Sequence, residues 1–133
     1  MPTLTSHKDL IVWQKGIALA GKVYAATRLL PSDERFGLTR QLRRAAISIP
    51  SNVAEGCARR TRNELIHFLH IARGSVSELE TQTTIAVDQG LLPQQDAPLA
   101  EIAEVGRLLY GLITSLASER RTAHARACDQ NSG

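Results

Sequence analysis

An all-α fold, an up-and-down antiparallel four-helix bundle, is what this sequence predicts, and three observations predict it. Aliphatic residues recur every three to four positions through four stretches of about 20 residues, the spacing that lines one face of an α-helix. Short turn signals separate these stretches, so consecutive helices must lie side by side and alternate in direction. Aromatic residues make up only 4% of the chain and prolines number 5, which leaves a core of aliphatic residues and alanine and little sign of alternating strands.

A length of 133 residues suits one domain whose core needs no disulfide or metal staple. The formal net charge of +3 permits contact with an anionic surface without demanding it. Its distribution says more: Arg40, Arg43, Arg44, Arg59, Arg60 and Arg62 stand close together in the chain against Glu55 alone. Cys57 and Cys128 are too few and too far apart to suggest a disulfide framework or a zinc site, and fit the reduced thiols of a cytoplasm. No basic-then-apolar leader is present, and no window approaches the roughly 18 apolar residues of a membrane span. The expectation is a soluble, cytoplasmic protein without membrane contact.

After a lead-in over 1–8, the first helix is expected from Ser6 or Asp9 to Leu30. Leu10, Trp13, Ile17, Ala20, Tyr24 and Thr27 share one stripe and are the expected core face. Val12, Leu19 and Val23 form a second apolar line, which implies either a wider core contact or a partner subunit. Pro31 cannot continue the hydrogen-bond ladder and ends the helix. Ser32, with Asp33 and Glu34 at the positive end of a helix dipole, marks the next start. Leu38, Leu42, Ala46, Ile49 and Val53 then make the core stripe of the second helix. Pro50 lies inside it, so a kink or a break is expected near Ile47 to Ile49; the unbroken periodicity favours a kink.

Thr61 followed by Glu64 has capping-box spacing and opens the third helix. Its core face carries Leu65, Phe68, Leu69, Ala72, Val76, Leu79, Thr83 and Ala86, and Gly90 suits a left-handed terminating position. Asp96 is the expected cap of the fourth helix, with Pro98 in its first turn. Ile102, Val105, Gly106, Leu109, Ile113 and Leu116 form its stripe, with Leu108 and Leu112 to one side. The bundle is thus expected over 9–121. From 122 the chain is polar and aperiodic, and disorder is expected.

Few residues suggest chemistry. A di-metal bundle needs two Glu-x-x-His pairs pointing inward; Glu64 and His67 are one such pair, and by helical position they fall off the core stripe. His67 and His70 lack a carboxylate or thiolate partner. Cys57 beside Arg59 and Arg60 has no sequence-adjacent base. The glycines are isolated, without a phosphate-loop or dinucleotide fingerprint. A non-enzyme is therefore expected, with no cofactor and no metal site.

The arginines carry more. Arg40, Arg43 and Arg44 lie off the core stripe with Ile47, Ser51 and Ala54, a face open to three readings: solvation, subunit packing or phosphate binding. Arg59, Arg60 and Arg62 occupy an exposed corner whose natural anionic partner is a nucleic-acid backbone. Asn52, Glu55, Arg73 and Glu80 are candidates for a structural polar network, because a half-buried guanidinium needs a carboxylate. Val12, Leu19, Val23, Ile47, Leu108 and Leu112 are candidates for an oligomer interface.

Three segments carry a family resemblance: DLIVWQKG (Asp9 to Gly16), FGLTRQLRRAAISIPSNVAEG (Phe36 to Gly56) and ELIHFLHIARGSVSELETQ (Glu64 to Gln82). Over about Asp9 to Leu92 the chain resembles the four-helix-bundle proteins encoded in intervening sequences of bacterial 23S ribosomal RNA genes. The resemblance implies a left-handed antiparallel bundle and a homo-oligomeric ring, with a pentamer the associated arrangement. Accessory proteins of diversity-generating retroelements are similar, and they engage nucleic acid and a reverse transcriptase through a basic pentameric barrel. No catalytic residues come with the resemblance; Arg43, Arg44, Ser48, Pro50, Asn52, Glu55, Arg73 and Glu78 recur without assigned chemistry. Gly16 stands where the family more often has Ala. The resulting expectation is a non-enzymatic oligomeric scaffold contacting RNA or DNA through its arginines. The alternative is an adaptor for another protein, using the outer apolar lines of the first and fourth helices; a metal-dependent enzyme is the third reading.

Overall fold

The computed structural model describes residues 6–132, with side chains through residue 119. Four long helices, α1 (Ile11–Thr27), α2 (Leu38–Cys57), α3 (Arg62–Asp88) and α4 (Leu99–Ser132), account for most of them, and no strand occurs among the described residues. Short 3-10 turns precede α1, α2 and α4 at His7–Asp9, Ser32–Glu34 and Gln94–Asp96. Each helix packs on the next, most extensively α2 on α3, and α4 returns to α1 through the thinnest contact. The helices therefore run around a square in chain order, which is the up-and-down bundle that the short connections imply.

Periodicity located the inward faces of α2, α3 and α4: Ile49, Val53, Leu69, Leu79, Ile102, Leu109 and Leu116 are all fully buried. On α1 the wider core contact is what forms. Val12, Leu19 and Val23 are core residues between 1% and 4% exposed, Thr27 of the other stripe is buried, and Leu10, Trp13 and Ala20 pack against the core, while Ile17 of that stripe is 48% exposed. Both lines are apolar, so hydrophobicity could not separate them; Gly16 does. It falls on the Val12, Leu19, Val23 line and is buried where a Cβ would stand 3.4 Å from Pro50 Cβ. Turning that line inward lets α1 press on the proline ring. Leu108 and Leu112 likewise pack against the core rather than facing away from it. Of the six interface candidates, only Ile47 is exposed.

Helix boundaries follow local chemistry. Ser32–Glu34 is a separate turn, and α2 begins only at Leu38, whose N–H donates to Glu34 Oε2 at 3.2 Å. The helix continues without a break across Pro50, which is buried, and its stripe keeps one register on both sides. Thr61 Oγ1 accepts the Glu64 N–H at 3.1 Å and caps α3 as expected. At the other end Gly90 has φ 71°, Leu91 N–H reaches Ala86 O at 2.9 Å and Gly90 N–H reaches Val87 O at 3.0 Å. This pair of bonds is a Schellman closure, which needs the left-handed conformation that glycine adopts without strain.

Asp96 does not cap α4. It lies in the 3-10 turn, and the first helical turn instead closes from Ile102 N–H to Pro98 O at 3.0 Å. The helix then runs for 34 residues to Ser132, about 50 Å at the α-helical rise. The backbone from 122 is thus helical where disorder was expected. Ala123, Ala125 and Ala127 favour helix, and neither Gly nor Pro interrupts the run before Gly133.

The α1–α4 seam is bridged at its surface by Lys22 Nζ with Glu101 Oε1 at 3.0 Å and Lys15 Nζ with Glu104 Oε1 at 3.4 Å. The hydrogen bond from Lys22, reinforced by a backbone bond and by its charge, holds the Glu101 carboxyl below the usual glutamate value. A carboxylate depressed in the fold stabilises it above the ordinary range and loses that contribution as acid protonates it. Carboxyl NMR titration should find Glu101 below the ordinary glutamate value, and Lys22→Met should return it upward. An unmoved titration in that variant would show that the seam pair does not form in solution.

Close approach is sharpest between α2 and α3. A Cβ on Gly56 would meet Leu65 Cδ1 and Phe68 Cβ at 3.0 Å and the Leu65 carbonyl at 3.2 Å, whereas one on Gly74 would meet nothing within 4 Å. Overpacking costs about 1–3 kcal/mol, against a helix-propensity gain near 1 kcal/mol for Gly→Ala. Urea unfolding should therefore show Gly56→Ala destabilised by up to about 2 kcal/mol and Gly74→Ala stabilised by about 0.5–1 kcal/mol.

Candidate nucleic-acid interface

The six arginines of the predicted basic surface do not form one patch. Arg40, Arg43 and Arg44 sit in the first two turns of α2, and Arg59, Arg60 and Arg62 at its far end. Helical rise puts about 22 Å between Arg44 and Arg59 along the axis, two to three Debye lengths at physiological salt.

Within the first group only Arg40 and Arg44 face solvent. Arg43 turns toward α1, where its Nε donates to Thr27 Oγ1 at 2.8 Å and its guanidinium lies 4.4 Å from the Tyr24 ring centroid. The Thr27 hydroxyl is buried and itself donates to the Tyr24 carbonyl at 3.0 Å. Arg43 is thus a bolt between α1 and α2.

The corner is partly neutralised by its own fold. Arg59 Nη2 pairs with Glu55 Oε1 at 2.6 Å, one helical turn back, and its guanidinium lies 4.8 Å from the Phe68 ring. Arg62 Nη2 stands 3.5 Å from Glu119 Oε2 on α4. Arg60 is exposed and, like Arg40 and Arg44, has no ion-pair partner among the described residues.

The expected polar network of Asn52, Glu55, Arg73 and Glu80 is replaced by another. Asn52 Nδ2 donates to Ser48 O at 2.8 Å and Ser48 Oγ at 2.9 Å, and Ser48 Oγ bonds Ser75 Oγ at 2.8 Å across the α2–α3 seam. Glu55 belongs to Arg59. Arg73 reaches α4 instead, its guanidinium 5.0 Å from the Tyr110 ring centroid. The signal for the serine pair was present in the sequence: both serines edge an apolar stripe on helices expected to touch.

A feature that the sequence reading did not single out lies between α3 and α4. Arg73, Ser77 and Glu80 on α3 face Ala103, Arg107 and Tyr110 on α4 across an open groove of about 620 Å³. The small side chains Ser77 and Ala103, with Gly106 between the helices, leave the space. Tyr110 is 55% exposed, and neither Arg73 nor Arg107 forms an ion pair among the described residues.

The residues weighed for chemistry do not converge. Glu64, His67 and His70 are exposed on α3, with His67 edge-on to Phe68 at 5.3 Å. No group of three or more His, Cys, Asp or Glu able to hold a metal occurs among the described residues. Cys57 is half-buried, and burial raises its thiol above the usual cysteine value, which disfavours the nucleophilic thiolate. No described helix is long and apolar enough to cross a membrane.

Removing the Arg43 bolt should destabilise the bundle by about 1.5–3 kcal/mol, the range for a charged hydrogen bond with a stacked ring. Lysine has no planar fork, so thermal unfolding of Arg43→Lys should recover only part of the Arg43→Ala loss. Full recovery would reduce the contact to simple charge.

The model of the family described as 23S rRNA-intervening sequence protein matches residues 8–111. Among solved structures, the chain is similar to a protein of unknown function from the S23 ribosomal protein family of Bacteroides thetaiotaomicron VPI-5482. The TM-score is 0.72 at 21% identity, over 77% of this chain and 98% of that one, a likeness of fold. No curated protein sequence matches. With the family match spanning α1, α2, α3 and the beginning of α4, the chain belongs to the family of 23S rRNA-intervening sequence proteins.

Proposed function

We propose that this protein is a non-enzymatic, self-associating scaffold whose copies meet along the outer seam of α1 and α2. The observation that carries the reading is the pair Ile17 and Ile47, 48% and 45% exposed. Gly16 against Pro50 and Tyr24 against Arg43 fix the register of the two helices. That register brings Ile17 and Ile47 to the two rims of one seam, alongside the half-buried Trp13 and Tyr24. Branched aliphatic side chains flanked by aromatics form the apolar centre that subunit interfaces bury. The ring implied by the family resemblance, with a pentamer as its associated size, sets the mass to look for.

Sedimentation or light scattering should find the wild-type chain oligomeric and the Ile17→Glu/Ile47→Glu double variant monomeric, with helical circular dichroism retained. A wild-type protein that is monomeric at tens of micromolar would sink the reading. A double variant of unchanged mass would move the interface elsewhere.

A second reading, contact with RNA or DNA, is favoured by Arg40, Arg44 and Arg60, which are exposed and have no ion pair among the described residues. It requires affinity for an oligonucleotide that falls steeply with salt. An adaptor for another protein would use the same α1–α2 seam and would bind with little salt dependence.

A further inference from the structure

We infer that the groove between α3 and α4 is a binding track for single-stranded nucleic acid, with Arg73, Arg107 and Tyr110 as its contact residues. The inference rests on the nucleic-acid reading above and moves its centre away from the α2–α3 corner. At that corner two of the three arginines already face Glu55 and Glu119. In the groove, Arg73 and Arg107 stand beside Glu80 yet pair with no carboxylate among the described residues. Their charge is still available to an external anion.

The ring explains why a strand fits better than a lone phosphate. Tyr110 holds the Arg73 guanidinium 5.0 Å from its centroid. The exposed Tyr110 ring and the guanidinium beside it are both groups on which an unpaired base stacks. Duplex bases are stacked on each other and offer no free face, so the platform selects single strands. Backbone phosphates to either side of a base on that platform then meet Arg73 and Arg107. Gly106 and Ala103 bring little side chain of their own into the groove that they line. The groove is on the opposite side of the bundle from the α1–α2 seam, so strand binding and self-association do not compete.

The test is fluorescence anisotropy of a labelled single-stranded oligonucleotide of roughly 12 nucleotides, titrated with the full chain from about 50 to 200 mM salt. Wild type is expected to bind, and a duplex of the same length to bind more weakly. Tyr110→Ala should weaken binding about 5- to 150-fold, the range for losing one stacked base, and Tyr110→Phe should keep most of it. Arg73→Gln/Arg107→Gln should lower the salt slope by about 1.4, two phosphate contacts on a single strand. The Arg40→Gln/Arg44→Gln/Arg60→Gln triple variant should leave the Tyr110→Ala effect in place. Circular dichroism confirms that each variant is folded.

Wild-type binding that Tyr110→Ala and the groove arginine variant leave unchanged would overturn the groove while keeping the nucleic-acid reading. Absence of wild-type binding near 50 mM salt would overturn both and leave the groove to a protein partner.

Discussion

The position of α2 governs this bundle, because α2 is drawn close to both neighbours at places where a side chain is missing. Gly16 lets α1 rest on the Pro50 ring, and Gly56 lets α3 bring Leu65 and Phe68 to within contact of the α2 backbone. Backbones that approach so closely allow small residues such as Ala46 and Ala72 to fill the space between them at complete burial, and packing at that density is sensitive to a single methyl group. Pro50 fits the same logic. Its lost hydrogen bond would weaken an exposed helix, whereas here its ring is buried in an interhelical contact.

Polar groups within the seams set register rather than supply chemistry. The Ser48–Ser75 bond and the Asn52 bonds to Ser48 lock α2 to α3, and Arg43 with Thr27 and Tyr24 locks α1 to α2. Apolar stripes alone tolerate sliding by a turn, since each turn presents another similar side chain. A directed hydrogen bond does not. The weaker α1–α4 closure relies instead on exposed lysine–glutamate pairs, which contribute little in water.

Two faces of the square are left with unused capacity. The α1–α2 side shows isoleucines and half-buried aromatics, and the α3–α4 side shows two arginines without an ion pair among the described residues, beside an exposed tyrosine. The proposed association and strand binding call for different surfaces, apolar for one and cationic with a ring for the other, and the two faces named lie on opposite sides of the square.

The sequence by itself determined the helices, their order and most of the buried face, because a period near 3.6 and capping residues such as Thr61 and Gly90 act over a few residues. It also placed the chain in its family, through the run from Phe36 to Gly56. What only the tertiary structure decided was the rotation of α1 and the fate of the charges. Two apolar lines on one helix look alike until a glycine meets a proline on the next. An arginine's availability depends on carboxylates and rings that folding brings near: Glu119 lies 57 positions beyond Arg62, and Tyr110 lies 37 beyond Arg73. Local pattern carries no record of such distances, because they are set by how whole helices pack.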